Sequence, residues 1–308
     1  MLDSFLISSD IQRKWIKKFK TIEDTFKQRA AEEDIDSKFP FDNIKWLVEE
    51  GYSVLTLPKS YGGEGATIED MVVLQSYLGA IDGATALSIG WHLSVVGQLY
   101  QQHMWSQTML DQFAIEVKNG ALVNRAVSEA DTGSPTRGGR PATHAIKTKD
   151  GYKLNGVKTF TSMSKALTHY IVAAFVEDIQ EVGFFLIPRE TKGLEIADNW
   201  NMLGMRATES HDLVLNDVIV PFENFVETKH KPQPNGWILH IPSVYLGIAQ
   251  AARDYAIEFA KTHSPNSIEG TIATLPTVQQ NIGKMESLLL SARHFLWSTA
   301  RGYNCLLY

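Results

Sequence analysis

A strand-rich island, residues 124 to 221, lies between two helical segments and limits what this chain can fold into. Within it Tyr152-Lys-Leu-Asn-Gly-Val reads as a strand and a turn, Tyr170 to Val176 as a buried strand, and Gly183 to Pro188 as another. Asp212 to Leu215 and Val218 to Pro221 add two more. Strands recur about every 10 to 15 residues with no helical period between them. That spacing excludes a Rossmann unit and predicts an antiparallel sandwich or barrel.

The flanks read differently. Ile11, Trp15, Phe19, Ile22 and Phe26 recur at three- and four-residue spacing, with Lys and Glu between them. Pro40 opens a second helix that stops at Gly51, and Leu57 to Gly65 is a three-glycine loop. Thr67 with Asp70 three residues on is a capping-box variant before a long helical stretch from Met71 through Ala86 to Val96. Helix returns after Pro234-Asn235-Gly236. Ile241, Tyr245, Ile248, Ala252, Tyr255 and Phe259 mark one face of a first long helix, and Val278, Ile282, Met285, Leu289 and Ala292 a second.

The expected architecture is α+β: an N-terminal helical domain (1–122), a middle β domain (123–228) and a C-terminal pair of helices (229–308). Two such helices cannot bury their apolar faces alone. A four-helix bundle would need about 40 to 60 further residues, so the apolar end at Tyr308 reads as C-terminally incomplete.

Composition narrows the partners. A formal charge of -6 over 308 residues argues against a nucleic-acid binder. A single cysteine, Cys305, excludes an internal disulfide framework and fits a reducing compartment. No run approaches the roughly 18 apolar residues of a membrane span. Asp3 stands where a signal peptide wants a base, so a cytoplasmic location is expected.

Three polar clusters punctuate the island: Ser128 to Ser134, Lys158-Thr159-Phe160-Thr161-Ser162, and Leu203-Gly204-Met205-Arg206-Ala207-Thr208. Short hydroxyl residues and glycines at strand ends can donate to a polar ring edge and then to a phosphate. Phe160 beside Thr161 and Ser162 suits a flat heteroaromatic ligand, one face stacked and one edge hydrogen-bonded. Taken singly, each has a plainer reading. The first can be a loop capping its own turns, Phe160 ordinary core, and Arg206 a solvated surface charge. Their joint occurrence in one β unit favours a cofactor site.

Residues from about 55 to 290 resemble the acyl-CoA dehydrogenase family of flavoenzymes. The matching pieces are Leu57-Pro58 through Tyr61-Gly62-Gly63-Glu64-Gly65, Ser128-Glu129 through Gly133-Ser134, Leu154 to Lys158, Leu203 to Arg206, and Asp217 to Pro221. The resemblance implies FAD, held by the segment Arg125 to Ser134, with Arg125, Val127 and Ser128 among its contacts and Ser128 at the pyrimidine edge. Phe160 stands where the family commonly has a flavin-stacking tryptophan, beside Thr161, and Ser162 where it has a threonine near flavin N5. Ser134 would approach the phosphate and the acyl-CoA substrate, and Trp91, His92 and Tyr245 are candidates for the acyl pocket.

The implied reaction is α,β-dehydrogenation of an acyl-CoA thioester in a homotetramer or homodimer, with electrons passed to an electron-transfer flavoprotein or a similar acceptor. It needs a carboxylate base. The closest position on the first bundle helix is Trp237, which cannot serve, and Glu258 and Glu286 read as solvated helix faces. No catalytic residue is assigned, and no metal is expected. The family's arginine-bearing loop is here Ser264 to Thr271 without arginine, no arginine stands near Ile238, and Asp131-Thr132 displaces the usual proline-glycine pair. Two alternatives stand beside this reading: a flavin-dependent monooxygenase of the same fold, and an inactive truncated copy.

Overall fold

The computed structural model describes residues 7–133, 139–228 and 234–306. Ser134 lies outside the described residues. Five helices precede the β segment: α1 Asp10–Asp36, α2 Phe41–Glu49, α3 Ile68–Ile81, α4 Gly83–Gln101 and α5 Gln107–Lys118. Two follow it, α6 His240–Thr262 and α7 Pro276–Leu306. The eight strands are β1 Val123–Ala126, β2 His144–Lys147, β3 Tyr152–Lys158, β4 His169–Val176, β5 Glu181–Pro188, β6 Leu194–Ile196, β7 Leu213–Val220 and β8 Phe225–Thr228. The order of helices, sheet and helices is the one the sequence predicts. By contacts the chain forms two compact units, the described residues of 1–28, 67–87 and 238–308, and those of 29–66 and 88–237.

In the first unit Trp15, Phe19 and Phe26 are the buried stripe of α1. Asp70 organises its start. One carboxylate oxygen accepts from Ser9 Oγ (2.5 Å) and Gln12 Nε2 (3.0 Å), while the other closes the capping box on Thr67 at the head of α3. The predicted helix from Met71 to Val96 is in fact two. Asp82 is extended (φ -150°, ψ 108°), and its carboxylate accepts from the Ala84 N–H and the Thr85 hydroxyl. A side chain that offers the backbone another partner stops one helix and starts the next.

The face of α6 also differs from the expected one. Tyr245 (51%) and Tyr255 (74%) are exposed, and the buried side is Ser243, Val244, Leu246, Gly247 and Gln250. Smallness explains it. A Cβ on Gly247 would lie 2.2 Å from the Ser76 carbonyl oxygen of α3, so the two backbones meet where no side chain intervenes. Hydrophobic periodicity favours large residues and misses a contact made by glycine.

In the second unit Val96, Leu99, Tyr100, Leu110, Phe113 and Val117 of α4 and α5 pack on Val123, Ile171 and Leu186 of the sheet. Strand order is β6-β7-β3-β2-β4-β5-β8, with β1 added beside β4. Most pairings are antiparallel, but β1 and β2 both run parallel to β4. β1 pairs with residues 169 to 172 and β2 with 175 and 176. Both β1 and β2 thus lie beside β4. These two short strands escape the sequence reading because four half-polar residues carry no clear period.

One predicted turn is absent and two predicted strands are joined. Asn155-Gly156 lies inside β3, where the register with β7 shifts; Asn155 Nδ2 donates to Asp217 Oδ1 (3.0 Å) and Asp217 has φ +51°. The two strands expected at 212–215 and 218–221 are one continuous β7 with a bulge. A Cβ on Gly156 would fall 2.4 Å from Thr143 Oγ1, so the glycine admits the neighbouring chain and does not turn.

Candidate functional site

The sheet brings the first two sequence clusters together. The Thr159 N–H donates to the Ser128 carbonyl (2.8 Å), joining the end of β3 to the segment after β1. One residue away on each side, Lys158 Nζ donates to Glu129 Oε1 at 2.6 Å, with side chains 0% and 5% exposed. Glu129 also accepts from the Ala142 and Thr143 backbone N–H groups and the Thr132 hydroxyl. Burial alone would raise its pKa; Lys158, Thr132 and Thr143 outweigh that and pull it down to about 2. Burial lowers the Lys158 pKa, opposed by Glu129.

The third cluster joins through hydroxyls. Ser210 Oγ donates to Ser162 Oγ (2.8 Å) and lies 2.8 Å from Thr208 Oγ1, which donates to the Met205 carbonyl. Asn124 Nδ2 donates to the Ser162 carbonyl (3.2 Å), and the Thr161 and Met163 N–H groups donate to the His211 and Thr208 carbonyls. Phe160 (φ +57°), Met163 (+64°), Met205 (+52°) and Glu209 (+38°) are all left-handed. Four non-glycine residues in that region on two adjoining segments mark a place where the surroundings hold the backbone against its preference.

Phe160 is 60% exposed, and its ring meets Trp200 edge-on at 5.9 Å. Beneath it Thr161 is fully buried, and among the described residues the Thr159 and Thr161 hydroxyls have no hydrogen-bond partner. Buried hydroxyls are nearly always paired. An open aromatic face beside orphaned hydroxyls fits the chemistry of a flat ligand with a polar edge.

The other predicted residues fall in varied places. Val127 and Ser128 are half-buried beside Glu129. The Arg125 guanidinium makes a two-point contact with Glu227 (2.8 and 3.1 Å), which also accepts from Trp105 Nε1 (2.7 Å). Its charge is thus committed inside the unit. Trp91 is half-buried in the second unit, and Tyr245 is exposed on α6 in the first. His92 is core: Nε2 lies 2.9 Å from the Ser53 carbonyl, Nδ1 accepts from the Val123 N–H, and burial pushes its pKa down to about 4. Trp237 is buried and donates to Gln101 Oε1 (2.7 Å). Arg206 pairs with Asp34 and Glu286 with Arg253.

The Glu129–Lys158 pair is not evident from the two sequence clusters taken separately. A signal was available: alternation from Tyr152 and Leu154 puts Lys158 on the inner face of β3, where a lysine needs a carboxylate. Trp200, Ser210 and His211 carried no local signal, because their roles depend on the approach of a distant segment.

Residues 124–218 match the family model described as acyl-CoA dehydrogenase, middle domain, and residues 12–104 the model described as acyl-CoA dehydrogenase, N-terminal domain. A Bacillus subtilis (strain 168) protein named "Putative acyl-CoA dehydrogenase YdbM" is 51% identical over 304 residues, spanning 98% of this chain and 80% of that protein. This chain belongs to the acyl-CoA dehydrogenase family of oxidoreductases. A second relative, the amino sugar nitrososynthase RubN8 of Streptomyces rubradiris, is 28% identical over 249 residues, 75% of this chain and 57% of that protein.

Solved structures share the family fold. Butyryl-CoA dehydrogenase from Megasphaera elsdenii superposes with a TM-score of 0.83 at 20% identity, covering 95% of this chain and 79% of that one. KijD3, in complex with FMN and a dTDP-linked amino keto sugar, gives 0.84 at 22% identity, covering 97% and 74%.

Proposed function

We propose that this chain binds FAD and oxidises an acyl-CoA thioester across its α,β-bond. The 51% identity to YdbM over nearly the whole chain carries the reading. The open Phe160 ring and the orphaned Thr161 hydroxyl support the flavin part of it. When bound, the flavin supplies the two-electron acceptor for such an oxidation. Phe160 would cover a ring face, Thr161 and Ser162 would hydrogen-bond its edge, and Val127 and Ser128 would line the polar end. Arg125, tied to Glu227, would shape the floor and not reach the ligand with its charge. Ser134, Trp91 and Tyr245 are proposed on the substrate side.

Residues 1–122, 123–228 and 229–308 are proposed as the N-terminal helical, flavin-binding and C-terminal helical domains. A cytoplasmic homotetramer or homodimer that passes electrons to an electron-transfer flavoprotein or similar acceptor completes the proposal. No helix among the described residues is long and apolar enough to cross a membrane.

One observation favours a second reading. A nitrososynthase is among the relatives at 28% identity, and a flavin-dependent monooxygenase of this fold does not need the carboxylate base. Anaerobic titration of the purified yellow protein with a panel of acyl-CoA thioesters separates the two. Bleaching of the flavin band supports dehydrogenation. Flavin that stays oxidised with every thioester, yet turns over oxygen once a flavin reductase is added, supports the monooxygenase. Chromatography of the released cofactor distinguishes FAD from FMN.

A further inference from the structure

Two of the segments assigned to the flavin are joined twice, one residue apart. Ser128 and Thr159 share a backbone hydrogen bond at 2.8 Å, and Glu129 and Lys158 share a buried ion pair at 2.6 Å. A hydrogen bond between main chains fixes one distance but leaves rotation about it. A second link beside it fixes the relative orientation of the segments.

The pair is an expensive way to join two chains. Removing an ammonium and a carboxylate from water costs several kcal/mol each, and well-packed apolar residues of similar volume often stabilise as well or better. Glu129 is better provided for than Lys158: it keeps the Ala142 and Thr143 backbone donors and the Thr132 hydroxyl, so its loop is held without the lysine. Lys158 is the member that ties this cluster to the last residue of β3. From there the chain passes through Thr159 into the left-handed Phe160 and the buried Thr161.

We infer that Glu129 and Lys158 are positioning residues for the cofactor: the buried pair sets the angle between the Ser128 edge and the Phe160–Ser162 platform, and neither side chain touches the ligand. This rests on the flavin reading above. Sub-ångström misplacement of binding groups is costly to affinity, whereas the fold has the whole sheet to hold it.

The test uses the full chain and measures the Kd for FAD by fluorescence quenching, together with the thermal midpoint of the flavin-free protein. The deciding variant is the double Glu129→Gln, Lys158→Met. It removes both charges at once and leaves no buried charge alone; because Ala142 and Thr143 donate to different Glu129 oxygens, the Gln oxygen keeps an acceptor for one of these two N–H groups. Lys158→Met by itself is the second variant. The expected result is a Kd raised about tenfold or more in both, with the flavin-free double fully folded at the temperature of the binding measurement.

A double variant that binds FAD as tightly as the parent overturns the inference. So does one whose weaker binding disappears at temperatures where its flavin-free form is fully folded, because that is the mark of a purely structural pair. A parent protein that binds neither FAD nor FMN overturns the flavin reading, and the inference with it. The parent measurement therefore separates the two failures.

Discussion

Trp200 donates its backbone N–H to Nδ1 of His211 at 3.0 Å, and the Asn199 N–H donates to the same nitrogen at 3.1 Å. A ring nitrogen that accepts two hydrogen bonds carries no proton, so the His211 proton sits on Nε2. Trp200 is pinned at its other end by Nε1 donating to the Arg206 carbonyl (2.9 Å), and its ring meets Phe160. The neutral imidazole thus helps fix the aromatic pair that borders the proposed flavin.

Acid should loosen this protein in two stages. Burial lowers the His92 pKa from 6.5 to about 4, and burial, then Lys165, lowers that of His211 against the pull of Glu209, Asp198 and Asp212. Between these values the unfolded chain takes up protons that the folded imidazoles refuse. Stability is full above pH 6.5 and falls as pH drops toward 4, by about 3 kcal/mol from His92. Glu129 adds a second loss between pH 4.5 and about 2, as its carboxylate protonates in the unfolded chain before the folded one. Urea unfolding across this range checks the slope, and His92→Gln, which keeps a donor and an acceptor without titrating, should make the first stage shallower, leaving the share of His211 and of His240, whose pKa burial lowers to about 3.

Phe160→Gly should separate binding from folding. Relief of a left-handed residue is worth about 1 to 2 kcal/mol, against which the added chain entropy of glycine costs about 0.5 to 1 and the lost edge-on contact with Trp200 about 0.5 to 1.5, so the flavin-free protein should stay within about 1.5 kcal/mol of the parent. FAD affinity should fall, because the open ring is gone. Equal affinity in the variant would remove Phe160 from the site.

Arg125→Met should act on stability first. It leaves Glu227, nearly fully buried, with the Trp105 Nε1 donor but without its cation, and breaking such a pair costs about 3 to 5 kcal/mol. A urea midpoint unchanged from the parent would mean that the arginine is free to serve a ligand.

Gly247→Ala should destabilise the first unit although alanine favours helix. Its methyl would sit 2.2 Å from the Ser76 carbonyl oxygen, and overpacking of this kind costs about 1 to 3 kcal/mol. Denaturant unfolding reads it directly, and a variant at least as stable as the parent would show that α6 can withdraw from α3 freely.

Much of the fold was legible in the sequence where large residues keep a period. The Trp15, Phe19, Phe26 stripe, the Thr67–Asp70 cap and the strands at β4 and β5 stand where pattern puts them, while β3 runs on through the turn expected at Asn155-Gly156. The short strands were not legible, since β1 is held by β4, and β2 by β3 and β4, more than by their own residues. Among candidate residues, Phe160, Thr161 and Ser162 do share one exposed-over-buried platform. What alternation could have added is Lys158. What it could not have added is His211, whose part depends on residues 199 and 200 arriving at its ring.

The left-handed quartet has a practical side. At Met205 the strain comes from the side chain's own Cβ atom, and glycine or asparagine would relieve it; at Glu209 the same change would also remove the carboxylate that pairs with Lys165 (3.3 Å). A heat-tolerant version of this protein could therefore be sought around the proposed ligand and not in the core. Anyone who takes that route would be softening the very ground on which the aromatic platform stands.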